Sequence, residues 1–219
     1  MKAYWFSNQD GKLQYNDGRT AEVGVTHEVG GKLVLCEHGL HASKRLIDAV
    51  KHAPDSMLWL VDVEDCIEDY DKLCGRRRTY LAKFNAEDVL REFSRKQALI
   101  NIEKIKPYCS KESYALIIKW LETGDKNLQP AARSAARSAA KSATWSAELA
   151  ESAESAESAE SAESAESAES AAWSATWSAE SAAWSAAAWS AAWSAAGSAE
   201  SAADKILNQM IKDATGWDI

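Results

Sequence analysis

Proline and glycine run out where the chain is most repetitive. Of three prolines the last is Pro130, and from there to Ser198 the only glycine is Gly197. Between Pro130 and Gly197 the chain therefore lacks the residues that break helices. No apolar run reaches the length needed to span a bilayer, and Met1–Asn8 passes at once into polar turn residues rather than a signal-peptide core. Cysteine is sparse as well: Cys36, Cys66, Cys74 and Cys109 show no tight pairing pattern. Without a secretory signal, that usage predicts reduced thiols and a cytoplasmic protein. Basic charge is short beyond residue 130. Residues 131–203 hold ten glutamates against Arg133, Arg137 and Lys141, and so carry most of the net charge of −8. An acidic segment repels phosphate, which argues against general nucleic-acid binding through it.

What fills this segment is a small-residue word, A-x-S, repeated at spacings of four and three. It reads AARS, AARS, AAKS, ATWS over 131–146, then ESA without a break over 151–169, then AAWS and ATWS over 171–178, closing with AAWS and AAGS over 191–198. Ala and Ser build no catalytic chemistry, but they can build an assembly surface. On an α-helix a step of four rotates a side chain by about +40° and a step of three by about −60°. The variable residues from Arg133 to Glu151 then stay within an arc of roughly 120°. Repeated triplets carry the stripe once around the rod. Trp173, Trp177 and Trp184 return to the original face, whereas the extra alanine in 186–188 turns Trp189 and Trp193 away. Ala and Glu favour helix, so the segment is expected to be α-helical, with 3₁₀-helix or disorder as the alternatives. Six tryptophans (Trp145, Trp173, Trp177, Trp184, Trp189 and Trp193) left in water would be costly. We expect them to drive self-association into a homo-oligomer, or folding back onto the head.

The first 126 residues read as an α+β head. Residues 2–7 alternate as a strand. Ala21–Val29 alternates again, Gly30-Gly31 turns the chain, and Lys32–Cys36 is expected to return as its hairpin partner. Ser43–His52 has helical spacing, while Met57–Val63 and Thr79–Phe84 are apolar enough for buried strands. Asn85 caps one helix through Val89, Leu90 and Phe93; Ser110 caps a second, with Glu112, Leu116, Ile117 and Trp120 inward. The expected architecture is thus an α+β head with a mixed or antiparallel sheet, a long Ala/Ser-rich repeat helix and an all-helical C-terminal half. Its divisions are 1–126, 127–203 and a short C-terminal helix or tail at 204–219.

The densest polar cluster is Cys36-Glu37-His38-Gly39-Leu40-His41-Ala42-Ser43, at a strand end entering a helix. Gly39 would let the backbone turn sharply there. Cys36, Gly39-Leu40-His41, the helix Leu46–Val50, the strand Leu58–Val63 and Asp69-Tyr70-Asp71-Lys72 follow one another in an order that resembles an uncharacterised family of phage and prophage proteins carrying a domain of unknown function. The resemblance covers about residues 1–100. Some members carry Ala/Ser-rich tails, and the family implies no activity, only the bacterial host cytoplasm as location.

The turn Gly39-Leu40-His41-Ala42-Ser43, a helix with Ala49 and the strand Leu58–Val63 also resemble, more loosely, the second motif of ADP-ribosyltransferase-like folds. That resemblance implies an NAD pocket in which His41 and Ser43 bind the ribose or amide and Glu68 or Asp71 stabilises an oxocarbenium-like centre. Against it stands a structural role in which His41 fixes the turn by bonding a neighbouring carbonyl. Cys36, His38 and His41, completed by Cys66 or Cys74, do not match usual zinc spacings, and no metal is expected. Gly75-Arg76-Arg77-Arg78 reads as a basic patch between strands, either a solvated turn or a phosphate or acidic-rod contact. The expected function is a non-enzymatic binding and assembly protein, with NAD processing as the alternative.

Overall fold

The computed structural model describes the fold of residues 1–13, 17–154 and 198–217, and the side-chain surroundings of these except 144–154 and 198–200. Two compact units emerge: Met1–Leu90 together with Ala195–Ile219, and Arg91–Ser194.

The first unit is built on an antiparallel sheet. Its strands are β1 (Lys2–Ser7), β2 (Thr26–Glu28), β3 (Leu40–Ala42), β4 (Met57–Glu68) and β5 (Leu73–Asn85), ordered β1-β4-β5-β2 with β3 also on β5. The apolar runs that marked the two central strands understated them, because both continue through polar residues into a long hairpin. The hairpin pairs Met57 with Asn85 at one end and Glu68 with Leu73 at the other. Tyr4 and Ser43 exchange backbone hydrogen bonds of 2.8 and 2.9 Å, so β1 also meets the residue that follows β3. One face buries Ala3, Trp59, Val61, Val63 and Tyr80 under Leu13, Ala21 and the half-buried Val25 and Val29.

The expected hairpin of 21–29 with 32–36 does not form. Only Thr26–Glu28 is strand, and it pairs with Arg77–Thr79 of β5. Val34 instead closes a tight turn on His38, each exchanging backbone bonds with the other. A long strand with an open edge offered 26–28 a distant ladder in place of the local one.

Two helices complete this unit: α1 (Leu46–Lys51), and one at Ser198–Thr215, called α5 because α2 to α4 intervene in the chain. Leu46, Ile47, Ala49 and Val50 of α1 are buried. On α5 the buried residues are Ala203, Leu207 and Ile211, at i, i+4 and i+8, a single stripe. The C-terminal tail is thus a helix that belongs to the head. Tyr4 on β1 donates its hydroxyl hydrogen to Asn208 Oδ1 at 3.3 Å.

The chain enters the second unit through α2 (Glu87–Ile100), started by Asn85, whose Oδ1 accepts the Glu87 N–H at 3.0 Å. A 3₁₀ segment (Ile102–Tyr108), α3 (Lys111–Thr123) and α4 (Gln129–Glu154) follow. The Ser110 side chain caps α3 by accepting the Ser113 N–H at 3.1 Å. Gly124, with φ 66°, ends it in the left-handed conformation that suits glycine. Ile117 and Trp120 face inward as expected, while Glu112 points to solvent in the first turn, where a carboxylate favours the helix dipole. The core is Ile102, Ile105, Ile117, Trp120 and Leu121 against Ala132, Ala136 and Ala143.

The first words of the repeat are therefore α-helical. Ala132, Ala136, Ala139 and Ala143 are all at most 2 % exposed, in steps of four, three and four that hold them on one face. Because a step of four overshoots, the buried alanine slips from the second in a word to the first. Arg137 and Lys141 stand exposed and Arg133 half-buried. Residues 155–197, with most of the triplet run and five of the six repeat tryptophans, lie outside the described residues; Trp145 is on α4, but its surroundings are not described.

Candidate functional site

The turn into β3 is held from several sides. Gly39 has φ 135°, and a Cβ there would lie 2.0 Å from Cys74 Sγ, so no side chain fits. Cys36 adopts the left-handed region (φ 67°) with its side chain exposed. Its backbone N–H donates to His41 Nε2 at 3.0 Å. His41 therefore serves as an acceptor, a neutral ring; burial first, then the charges of Arg78 and Lys72, hold its pKa below the usual histidine value. The Lys72 pKa is raised, chiefly by its interaction with the Cys36 side chain. Cys74 donates its S–H to the His38 carbonyl at 3.2 Å, and burial pushes its thiol up.

The nominated side chains are dispersed into separate contacts. Ser43 is 2 % exposed and its backbone is spent on Tyr4. Glu68, at the end of β4, pairs with Lys44. Asp71 meets His52 Nε2 at 3.2 Å and Lys72 at 4.0 Å. His41 is thus drawn toward Lys72, Cys36 and Arg78 rather than toward Glu68. His38 Nε2 lies 2.6 Å from the Gly30 carbonyl, and among the described residues no three His, Cys, Asp or Glu side chains are grouped to hold a metal ion.

The basic run is not between strands. Residues 75–78 lie inside β5, and the strand divides them. Arg77 reaches Glu64, its partner in the β4 register, at 2.9 Å and Glu28 on β2 at 4.0 Å. Arg76 meets Asp65 at 2.8 Å and the Gly31 carbonyl at 2.8 Å.

Arg78 goes inward and is only 2 % exposed. Its guanidinium carbon stands 4.0 Å over the Trp5 ring and 5.1 Å from the Tyr80 ring centre. Nη1 donates to the His41 carbonyl at 2.5 Å and Nη2 to the Tyr80 hydroxyl at 2.9 Å, whereas Nε is buried without a partner among the described residues. Around it, Trp5 and Trp59 face each other in register, and Tyr80 packs edge-on against Trp59 at 5.3 Å and His27 at 5.2 Å. His27 Nδ1 is 3.0 Å from the Tyr80 hydroxyl. Burial, then Arg19 and Arg78, lower the pKa of His27. From the sequence alone Arg78 belongs to a basic patch between strands, and Trp5, Tyr80 and His27 do not stand out. The available signal was their period-two placement: an arginine two residues before a tyrosine in a strand, both on its covered face.

The chain matches no protein-family model, no curated protein and no solved structure.

Proposed function

We propose that the chain is a non-enzymatic binding and assembly protein, cytoplasmic and phage-type, whose repeat continues as a helix beyond Glu154 and mediates self-association. The observation that carries this reading is the two-faced use of the word in 131–143. One alanine of each word (Ala132, Ala136, Ala139 and Ala143) forms the closely packed side, at 0–2 % exposure, and the variable slot faces outward at Arg137 and Lys141. Small residues allow a close approach of helices, and a large residue in the outward slot is presented to a partner. In the later words tryptophan fills that slot, and apolar surface displayed at regular intervals favours a second copy. The burial of Ser43 and the pairing of Glu68 with Lys44 and of Asp71 with His52 support a binding head over one that processes NAD.

Sedimentation of the full chain tests this. A concentration-dependent homo-oligomer is expected, and replacing Trp173, Trp177 and Trp184 together by serine should dissociate it. A monomer at every concentration, with tryptophan emission fully open to aqueous quenchers in the repeat, would sink the reading.

A further inference from the structure

We infer that the Nε–Nη2 edge of Arg78 receives an oxyanion, the phosphate or carboxylate group of a small ligand. Three arginines follow one another on β5, and two of them meet carboxylates: Arg76 with Asp65, Arg77 with Glu64. Arg78, the most buried, has among the described residues only neutral oxygens as partners, the His41 carbonyl and the Tyr80 hydroxyl. A guanidinium does not shed its charge, so its burial without a counter-ion is costly. The acid that acts on it electrostatically, Asp17, is already held in two contacts of 2.5 and 2.6 Å by Arg19. The neighbourhood therefore keeps one unbalanced positive charge in a chain whose net charge is −8.

The donors are also arranged for an anion. Nε–H and the adjacent Nη–H of a guanidinium point the same way and accept a carboxylate or phosphate bidentately. Here Nε, though buried, has no acceptor among the described residues, and Nη2 holds a hydroxyl that can rotate its hydrogen toward an incoming oxygen. Stacking on Trp5 fixes the plane of this fork before any ligand arrives. Trp5, which lies under the guanidinium, and His27, which meets the same Tyr80 hydroxyl, are both half-buried. Arg19 is the second cation felt at this place: after burial, its charge helps to lower the pKa of both His27 and Arg78.

The test uses the full chain, titrated by calorimetry with inorganic phosphate and separately with acetate at ionic strength held constant with chloride. Binding of one of them, with a Kd of about 1 mM or tighter, is expected and identifies which oxyanion the site takes. The same ligand should raise the melting temperature, while chloride should not. Arg78→Lys keeps the charge but loses the fork and should weaken binding at least about tenfold; Arg19→Ala should weaken it several-fold. Should Arg78→Lys not fold, Arg19→Ala and His27→Phe, both at half-buried positions, carry the comparison. Absence of heat and of thermal shift with both anions overturns the inference, as does binding that is equal in the folded variants.

Discussion

Asp204 on α5 accepts the backbone N–H of Ile47 at 3.1 Å, across 157 residues of chain. The helix it serves, α1, begins at Arg45 without a side-chain cap of its own. An aspartate from the far end of the sequence thus does the work of a local Ser or Asp, and its carboxylate also lies 3.6 Å from Arg45 Nε. Removing a capping side chain costs about 1 kcal/mol. Asp204→Ala should lower the urea midpoint by a corresponding amount and leave the slope of the transition unchanged.

Leu207 is fully buried in the same contact. Leu207→Ala should cost about 2–5 kcal/mol, the range for a buried leucine. Deleting 198–219 should unfold the sheet unit outright, read as loss of near-ultraviolet dichroism; a truncated chain with native spectrum and midpoint would show that α5 is dispensable.

Acid should weaken the fold in two stages. His27 and His41 have lowered pKa values, from burial first and then from neighbouring cations. The unfolded chain takes up these protons near pH 6.5, where the folded one does not. Their contribution is complete above that value and is lost as pH falls toward the lower folded values. Asp17, held down by its hydrogen bond with Arg19, adds a second loss below the ordinary carboxylate range. Urea melts from pH 8 to about pH 2 should show stability level above about pH 6.5 and then falling in two stages, and His27→Phe should flatten the upper stage.

Alkali acts on the helical unit. The Tyr114 hydroxyl donates to Glu103 at 2.7 Å, and burial followed by that bond pushes its pKa to about 12. An unfolded tyrosine ionises near 10, so this contribution is whole below about pH 10 and disappears between there and about pH 12. Ultraviolet titration of the phenol, compared with Tyr114→Phe, should find one tyrosine ionising late. If the variant removes only a transition near 10, the bond to Glu103 does not hold in solution.

Local chemistry was legible in the sequence: Asn85 and Ser110 cap the helices they were expected to cap, Gly39 makes the turn assigned to it, and β1 is where alternation put it. Distant pairing was not. The choice of 26–28 between a neighbour and β5 depends on an edge that only the folded sheet presents. The inward turn of Arg78 was hidden for a related reason, since three adjacent arginines look alike until a strand sends one of them to the covered face. The shared contacts of α5 and α1 carry no local signal, because Asp204 resembles any other charged residue beside the repeat.

Since 1–90 and 195–217 fold into one unit, everything between them is a ring closed by tertiary contact. Changing the number of ESA triplets alters the length of that ring and neither of its anchors. Even for a ring with no structure of its own, the entropy of closure grows only with the logarithm of length, about 0.6 kcal/mol per doubling. Gain or loss of a few triplets by replication slippage is therefore close to neutral for the head, and the repeat number is free to drift or to be selected. A frameshift within the repeat has the opposite effect: it deletes Leu207 and the Asp204 cap, and so removes one wall of the fold.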